Sequence, residues 1–231
     1  MIADMKRVAV MQPYFFPYAG YFRLFAAVDE FIIFDCVQFP RRGRVHRTEV
    51  PGPTGETEWL TLPLDHQPRD VRIDQLRFAS DARARFDRQL ARMPWMTSAS
   101  GLHADRIRSV LCAPLESVPD YLETTLRTVV DILGFPATIS RSSRFNLDPA
   151  LRGQARVVAA AALAQATHYV NAPGGRALYD AAVFARHGMA LSFLSPYDGR
   201  FVHLLPALMT TDAEEIRSDV LATSWLTDDR E

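Results

Sequence analysis

The feature that most constrains the fold is a change of hydrophobic rhythm near the amino terminus. Arg7 to Met11 reads Arg-Val-Ala-Val-Met, a short β-branched run suited to a buried strand. Pro13 ends it, because proline lacks a ladder donor and restricts Gln12 before it. A loop rich in proline and aromatics, Tyr14 to Tyr18, follows. From Gly20 to about Asp29, Phe22, Phe25, Ala26 and Val28 fall on one face of a helix. Phe31-Ile32-Ile33-Phe34 is then a second buried strand. Strand, helix and strand within about 30 residues make a βαβ crossover, which implies a parallel pair. The segment Gln12 to Gln38 is therefore expected to organise the working surface.

The middle of the chain reads differently. Arg44 to Val50, Glu58 to Leu62 and Val71 to Phe78 are short extended runs, the first two separated by the turn-forming Pro51-Gly52-Pro53-Thr54-Gly55. Helices are expected over Ser80–Arg92, Leu102–Leu111 and Leu115–Leu133, the last stopped by Gly134 and Pro136. A strand at Ala137–Arg141, a helix at Arg152–Ala166, a strand at Thr167–Val170, a helix at Ala177–Arg186 and a strand at Met189–Leu194 complete the rhythm. The expected fold is α/β: a mostly parallel sheet with flanking helices, a Rossmann-like βαβ opening and a small antiparallel β insertion. No low-complexity linker divides the chain, so residues 1–231 read as one domain with the insertion at about 44–78.

Composition removes several functional classes. With 26 basic and 27 acidic side chains the net charge is -1, without the basic excess of a nucleic-acid binder. No apolar run approaches the ~20 residues of a membrane helix. Asp4 and Lys6 precede the first strand directly, so no secretory leader is expected. Cys36 and Cys112 form no metal or redox motif, and a reducing cytoplasm is the expected compartment. No spacing suggests a metal site, and no cofactor is indicated.

Open parallel sheets bind ligands outside the carboxyl ends of their strands. That rule nominates the loops Gln12–Gly20, Asp35–Gly43 and Asn171–Gly175. Gln12 is a long polar side chain where a core strand would favour an apolar one. Gly20 either exposes backbone donors at a helix start or closes a tight loop under the tyrosines. Asp35 and Gln38 leave the second strand, followed by Arg41, Arg42 and Arg47, which can grip a phosphate or carboxylate or form a solvated turn. Cys36 is a candidate nucleophile, with His46 or His168 as imidazole partners, although lone cysteines are commonly small core residues. Alternation places His168 and Val170 on one sheet face and Tyr169 and Asn171 on the other. Gly174-Gly175 is a turn or an anion cradle.

The blocks Met11-Gln12-Pro13-Tyr14-Phe15-Phe16-Pro17-Tyr18 and Gly20-Tyr21-Phe22, with Asp29, Asp35, Val37-Gln38-Phe39, Arg41-Arg42-Gly43 and Arg47, resemble the WbqC-like family of bacterial proteins. The likeness continues through Trp59-Leu60-Thr61, Ser142-Ser143, Ala166-Thr167-His168-Tyr169-Val170-Asn171, Gly174-Gly175 and Tyr179-Asp180. It implies small-molecule biosynthesis in a bacterium, in surface-polysaccharide or natural-product assembly, and a transferase role. Cys36 stands where relatives commonly carry aspartate. The opening topology also resembles that of pantothenate-synthetase-type nucleotide-binding enzymes, but Tyr18 and Tyr21 stand near the glycine where those enzymes use histidines.

These readings give an expected transferase that moves an acyl or aminoacyl group onto a small amine. Cys36 is the expected nucleophile and His168 the base, with Asn171 or Asp180 orienting it. Gln12, Tyr14, Tyr18, Gly20, Tyr21, Asp35, Gln38, Arg42, His46, Arg47, Gly174 and Gly175 are the expected substrate contacts. The expected partners are a small-molecule substrate and an acyl or aminoacyl carrier protein, with no nucleic acid or membrane. Two alternatives use the same segments: a nucleotide- or nucleotide-sugar-dependent enzyme, and a non-catalytic accessory protein that binds through its aromatic loop.

Overall fold

In the computed structural model, which describes residues 5–98, 101–224 and 226–228, the opening segment forms the predicted unit. Strand β1 (Arg7–Met11), helix α1 (Ala19–Ala27) and strand β2 (Glu30–Ile33) follow one another, and β1 pairs with β2 in parallel, Val8 opposite Glu30 and Met11 opposite Ile33. Helix α1 is apolar on nearly every side and is buried from Ala19 to Phe25, so packing rather than propensity holds it.

An antiparallel hairpin, β3 (Arg47–Pro51) and β4 (Thr57–Thr61), forms a separate two-stranded sheet. The expected strand Val71–Phe78 is not one. Ile73–Gln75 turns as a 3-10 segment, and the run's donors go to irregular partners: Ile73 N–H to the Val37 carbonyl and Asp74 N–H to the Asp35 carbonyl, both at 2.9 Å. Val71, Ile73 and Leu76 of that run are buried, but its backbone is satisfied by the residues leaving β2, by local turns and by isolated bridges, not by a ladder.

Helices α2 (Ala82–Leu90), α3 (Pro94–Thr97), α4 (Ala104–Leu111) and α5 (Val118–Leu133) come next. Ser117 caps α5 at Asp120 N–H, and Gly134 ends it at φ 66°, a left-handed conformation that glycine adopts without strain. Then come β5 (Thr138–Arg141), α6 (Gly153–Leu163), β6 (His168–Asn171), α7 (Ala181–Ala185) and β7 (Ala190–Leu194). The expected helix Ala177–Arg186 is split, with 3-10 turns over Pro173–Leu178 and only α7 helical. Helices α8 (Leu204–Thr210) and α9 (Ala213–Ala222) and the edge strand β8 (Leu226–Asp228) carried no sequence expectation.

The main sheet has the order β5-β2-β1-β6-β7-β8, parallel except for the antiparallel β7–β8 pair. Alternation divides its side chains between two cores. Ala9, Phe31, Ile33 and Val170 join the cluster built with α1 and α5. Val8, Val10, Ile32 and Tyr169 join the cluster under α6 and α7. The sheet is therefore covered on both faces, as a parallel sheet requires. Among the described residues no helix is long and apolar enough to cross a membrane. The reading against a secretory leader rested partly on Asp4, which lies outside the described residues.

Candidate functional site

Parallel pairing brings the ends of β2 and β5 together, although they lie more than 100 residues apart in sequence. Asp35, just past β2, is fully buried. Its carboxylate accepts from Arg141 Nε (2.7 Å), Ser142 Oγ (3.0 Å), Ser143 N (2.8 Å) and Ser143 Oγ (2.7 Å). Arg141 also reaches Asp120 Oδ1 at 2.6 Å. The Ser117 hydroxyl, and then Arg141, hold the Asp120 carboxyl below its ordinary range. Asp35 was expected to anchor substrate; its oxygens are instead committed to joining two strand ends.

Above this ion pair lies a cavity of about 660 Å³, whose walls include Cys36, Arg72, Ser142, Ser143, Arg152 and Arg156. Arg152 and Arg156 come from the start of α6, and Arg72 from the turn before Ile73. Cys36 is 7% exposed, with Arg156 Nη1 at 3.8 Å from its Sγ and 2.9 Å from its carbonyl oxygen. A shallower hollow of about 340 Å³ adjoins it through Gln38, lined also by Phe39, Pro40, Arg41 and Arg69. The volume of the main cavity falls within the range of small-molecule sites.

The structure does not bring Cys36 and His168 together. His168 opens β6 opposite Arg7, at the amino end of β1, whereas Ile33 stands opposite Met11 at the carboxyl end. Four strand steps of about 3.3 Å put roughly 13 Å between those levels, and Cys36 lies three residues further on. The Cys–His pair is therefore corrected: no ordinary loop closure moves a residue inside a sheet strand to the opposite sheet edge. Asn171 and Asp180 have local roles instead. Asn171 Oδ1 accepts from Ala172 N at 2.8 Å, and Asp180 caps α7 by accepting from Ala182 N at 2.9 Å.

The loop after β1 is closed by its own rings. A Cβ on Gly20 would lie 2.2 Å from the Tyr18 ring and 2.7 Å from the Tyr197 ring, so the glycine makes room for aromatics, not for a ligand. Tyr21 donates to the Gln12 carbonyl at 2.7 Å, and burial pushes its phenol well above its ordinary value. Tyr14 packs on Tyr21 with ring centres 5.4 Å apart, and Phe15 and Phe16 are buried. The aromatic loop thus points inward, which removes the open apolar patch needed by the accessory-protein reading. Gly175 likewise makes room for the Asn171 amide, whereas Gly174 is exposed with open space around it.

The arginines expected to grip substrate lie outside the main cavity. Arg47 donates to the Gly43 and Arg42 carbonyls and lies 4.2 Å from the Trp59 ring centre; Arg42 is exposed. Gln38 lines the cavity and donates to the Arg69 carbonyl. His46 packs edge-on to Phe39, and its buried Nδ1 has no hydrogen-bond partner among the described residues.

Burial, followed by the charge of Arg47, lowers the His46 pKa from 6.5 to about 4. The folded imidazole stays neutral where the unfolded one takes a proton. This group therefore leaves stability unchanged above pH 6.5 and lowers it progressively as pH falls toward 4. Urea denaturation of His46→Gln is expected to show a flatter stability profile than the parent across that window. Parallel profiles would contradict a neutral buried His46.

Sequence reasoning missed Arg152 and Arg156. Each reads locally as one more helix arginine, and only the β2–β5 pairing shows that α6 begins over the ligand edge.

The comparisons with known proteins agree with this geometry in extent, since the matched region contains both cavity walls. A family model described as the WbqC-like protein family matches residues 12–205. The chain is 28% identical over 212 residues, covering 84% of each chain, to a protein of Mycobacterium tuberculosis named Uncharacterized protein Rv1507c. No solved structure matches. With α1, β2, the buried Asp35 anchor and the residues lining the cavity inside the matched span, the chain belongs to the WbqC-like family.

Proposed function

We propose that this chain is a transferase of bacterial small-molecule biosynthesis, acting in the cytoplasm on a small amine during surface-polysaccharide or natural-product assembly. Its reaction site is the cavity at the carboxyl ends of β2 and β5. The observation that carries this reading is the cavity's position at the ligand edge of an open α/β sheet, with a volume of about 660 Å³ and mixed polar walls. Donor and acceptor meet there directly, without a Cys–His relay. The nucleotide- or nucleotide-sugar-dependent alternative uses the same edge.

The acyl-transfer version retains one supporting observation: the Cys36 thiol lies in the cavity wall beside the Arg156 guanidinium. There Sγ would take the acyl group from a donor thioester, releasing the donor's thiol, before the amine accepts it. One experiment separates the two routes. Purified protein is incubated with sugar-nucleotide and acyl-thioester donors and a panel of amines, and products are read by mass. Direct transfer predicts that Cys36→Ala keeps turnover within roughly threefold of the parent. Loss of about a thousandfold, with a donor-derived adduct on Cys36 of the parent, would establish the thiol route. No transfer from any donor would count against the transferase reading itself.

A further inference from the structure

Arg156 is a buried cation in the cavity wall. It is 8% exposed, and its nitrogens donate to the carbonyls of Leu151 (Nε, 2.8 Å), Cys36 (Nη1, 2.9 Å) and Pro149 (Nη2, 3.0 Å), with Nη1 also 3.8 Å from the Cys36 thiol. Among the described residues no carboxylate pairs with it. Arg141, which is 7% exposed at the same sheet edge, has both Asp35 and Asp120. A buried guanidinium is costly unless its charge is met, and carbonyl dipoles meet it only in part. Three such bonds also leave some of its five N–H donors over.

Among the described residues the fully buried Arg23 has no carboxylate partner within ion-pair distance either, but its surroundings differ. It donates to the Ser195 carbonyl and to the Thr223 carbonyl at the carboxyl end of α9, and it faces the Tyr197 ring. Those groups compensate Arg23 within the fold, away from the cavity walls. Arg156 lines the cavity. Arg152 lines it too, is exposed, and donates among the described residues to the Pro149 and Leu151 carbonyls. Helix α6 has no side-chain cap at Arg152, and a Cβ on Gly153 would meet nothing within 4 Å, so its first turn faces open space. By contrast Arg72, which also lines the cavity, is already paired with Asp74 at 2.8 Å.

We infer that Arg156, Arg152 and the open first turn of α6 form a subsite for the phosphate or diphosphate group of the ligand. This rests on the cavity being the reaction site and names the chemistry of its donor. The anion supplies the counter-charge that Arg156 lacks, and the exposed Arg152 closes on it from the mouth. A diphosphate is common to sugar nucleotides and to coenzyme A, and the two sources differ in what is attached to it.

The test is calorimetric titration of the full chain with inorganic pyrophosphate, UDP, coenzyme A and uridine. Pyrophosphate is expected to bind and uridine not to bind. Arg152→Gln is expected to weaken pyrophosphate binding tenfold or more, whereas Arg88→Gln, an exposed arginine outside the cavity with the same charge change, leaves it unaltered. Arg156→Lys keeps the charge but loses the fork and is expected to weaken binding likewise; should it misfold, Arg152→Gln still decides. Tighter binding of UDP or of coenzyme A than of pyrophosphate identifies the source of the group. Absence of binding by every phosphorylated probe, or equal weakening by Arg88→Gln, would overturn the subsite. Because the readout is binding and not turnover, intact pyrophosphate binding with no transfer from any donor would reject the transferase reading and keep the subsite.

Discussion

Replacing Asp35 by Ala is expected to destabilise the fold by about 3–5 kcal/mol, the range for removing one partner of a buried ion pair. The substitution would leave the Arg141 guanidinium, 7% exposed, facing only Asp120 and Glu123 at the edge of the cluster. It would also strip the acceptor from the Ser142 hydroxyl and from the Ser143 N–H and hydroxyl. Domains of this kind have a net stability of roughly 5–15 kcal/mol, so the loss is a large fraction of the total. Urea denaturation with fitted midpoint and slope measures it. Adding Arg141→Met to Asp35→Ala is expected to recover part of the loss, because it removes the stranded charge. A loss under about 1 kcal/mol for Asp35→Ala would show that the carboxylate is not the joint between β2 and β5.

The same residue shows what was legible from the chain alone. The pattern placed Asp35 at the end of a buried strand on the ligand edge, and it is there. Its partners were not legible, since Arg141, Ser142 and Ser143 come from a strand whose place beside β2 is a long-range pairing. The β1–α1–β2 unit, by contrast, was readable from local periodicity and from proline and glycine positions. Val71–Phe78 misled for the opposite reason: its apolar residues suit a strand, but its Ile73 and Asp74 N–H groups are taken by the exit of β2 and others by local turns.

His168 was placed on the correct kind of element and matched to the wrong partner. Alternation reports which face a strand residue occupies, and Tyr169 and Val170 do divide between the two cores. It does not report which end of the sheet the residue occupies. His168 begins β6 and Asn171 finishes it, so only Asn171 stands at the ligand edge. The chain direction of a parallel strand already contained that distinction. Arg156 had no local signal at all; a lone arginine in an alanine-rich helix is ordinarily solvated, and burial against Cys36 is a tertiary fact.

The central claim is that chemistry takes place in the cavity between β2, β5 and the start of α6. Two lining positions can be altered with little demand on the core: Asp70 is exposed and Leu147 half-buried, and both line the cavity. An indole at either position occupies space that a bound ligand would need. Asp70→Trp also removes a negative charge, which by itself would favour an anionic ligand, so a loss there reports obstruction and not repulsion. The most direct measurement is the transfer rate of Asp70→Trp and Leu147→Trp beside the parent, with thermal unfolding of each as a control. The account predicts a fall in kcat/KM of about 100-fold or more, on the order of 3 kcal/mol, with near-parental melting temperatures. Parental kcat/KM in both well-folded variants would contradict it and place the reaction elsewhere on the molecule.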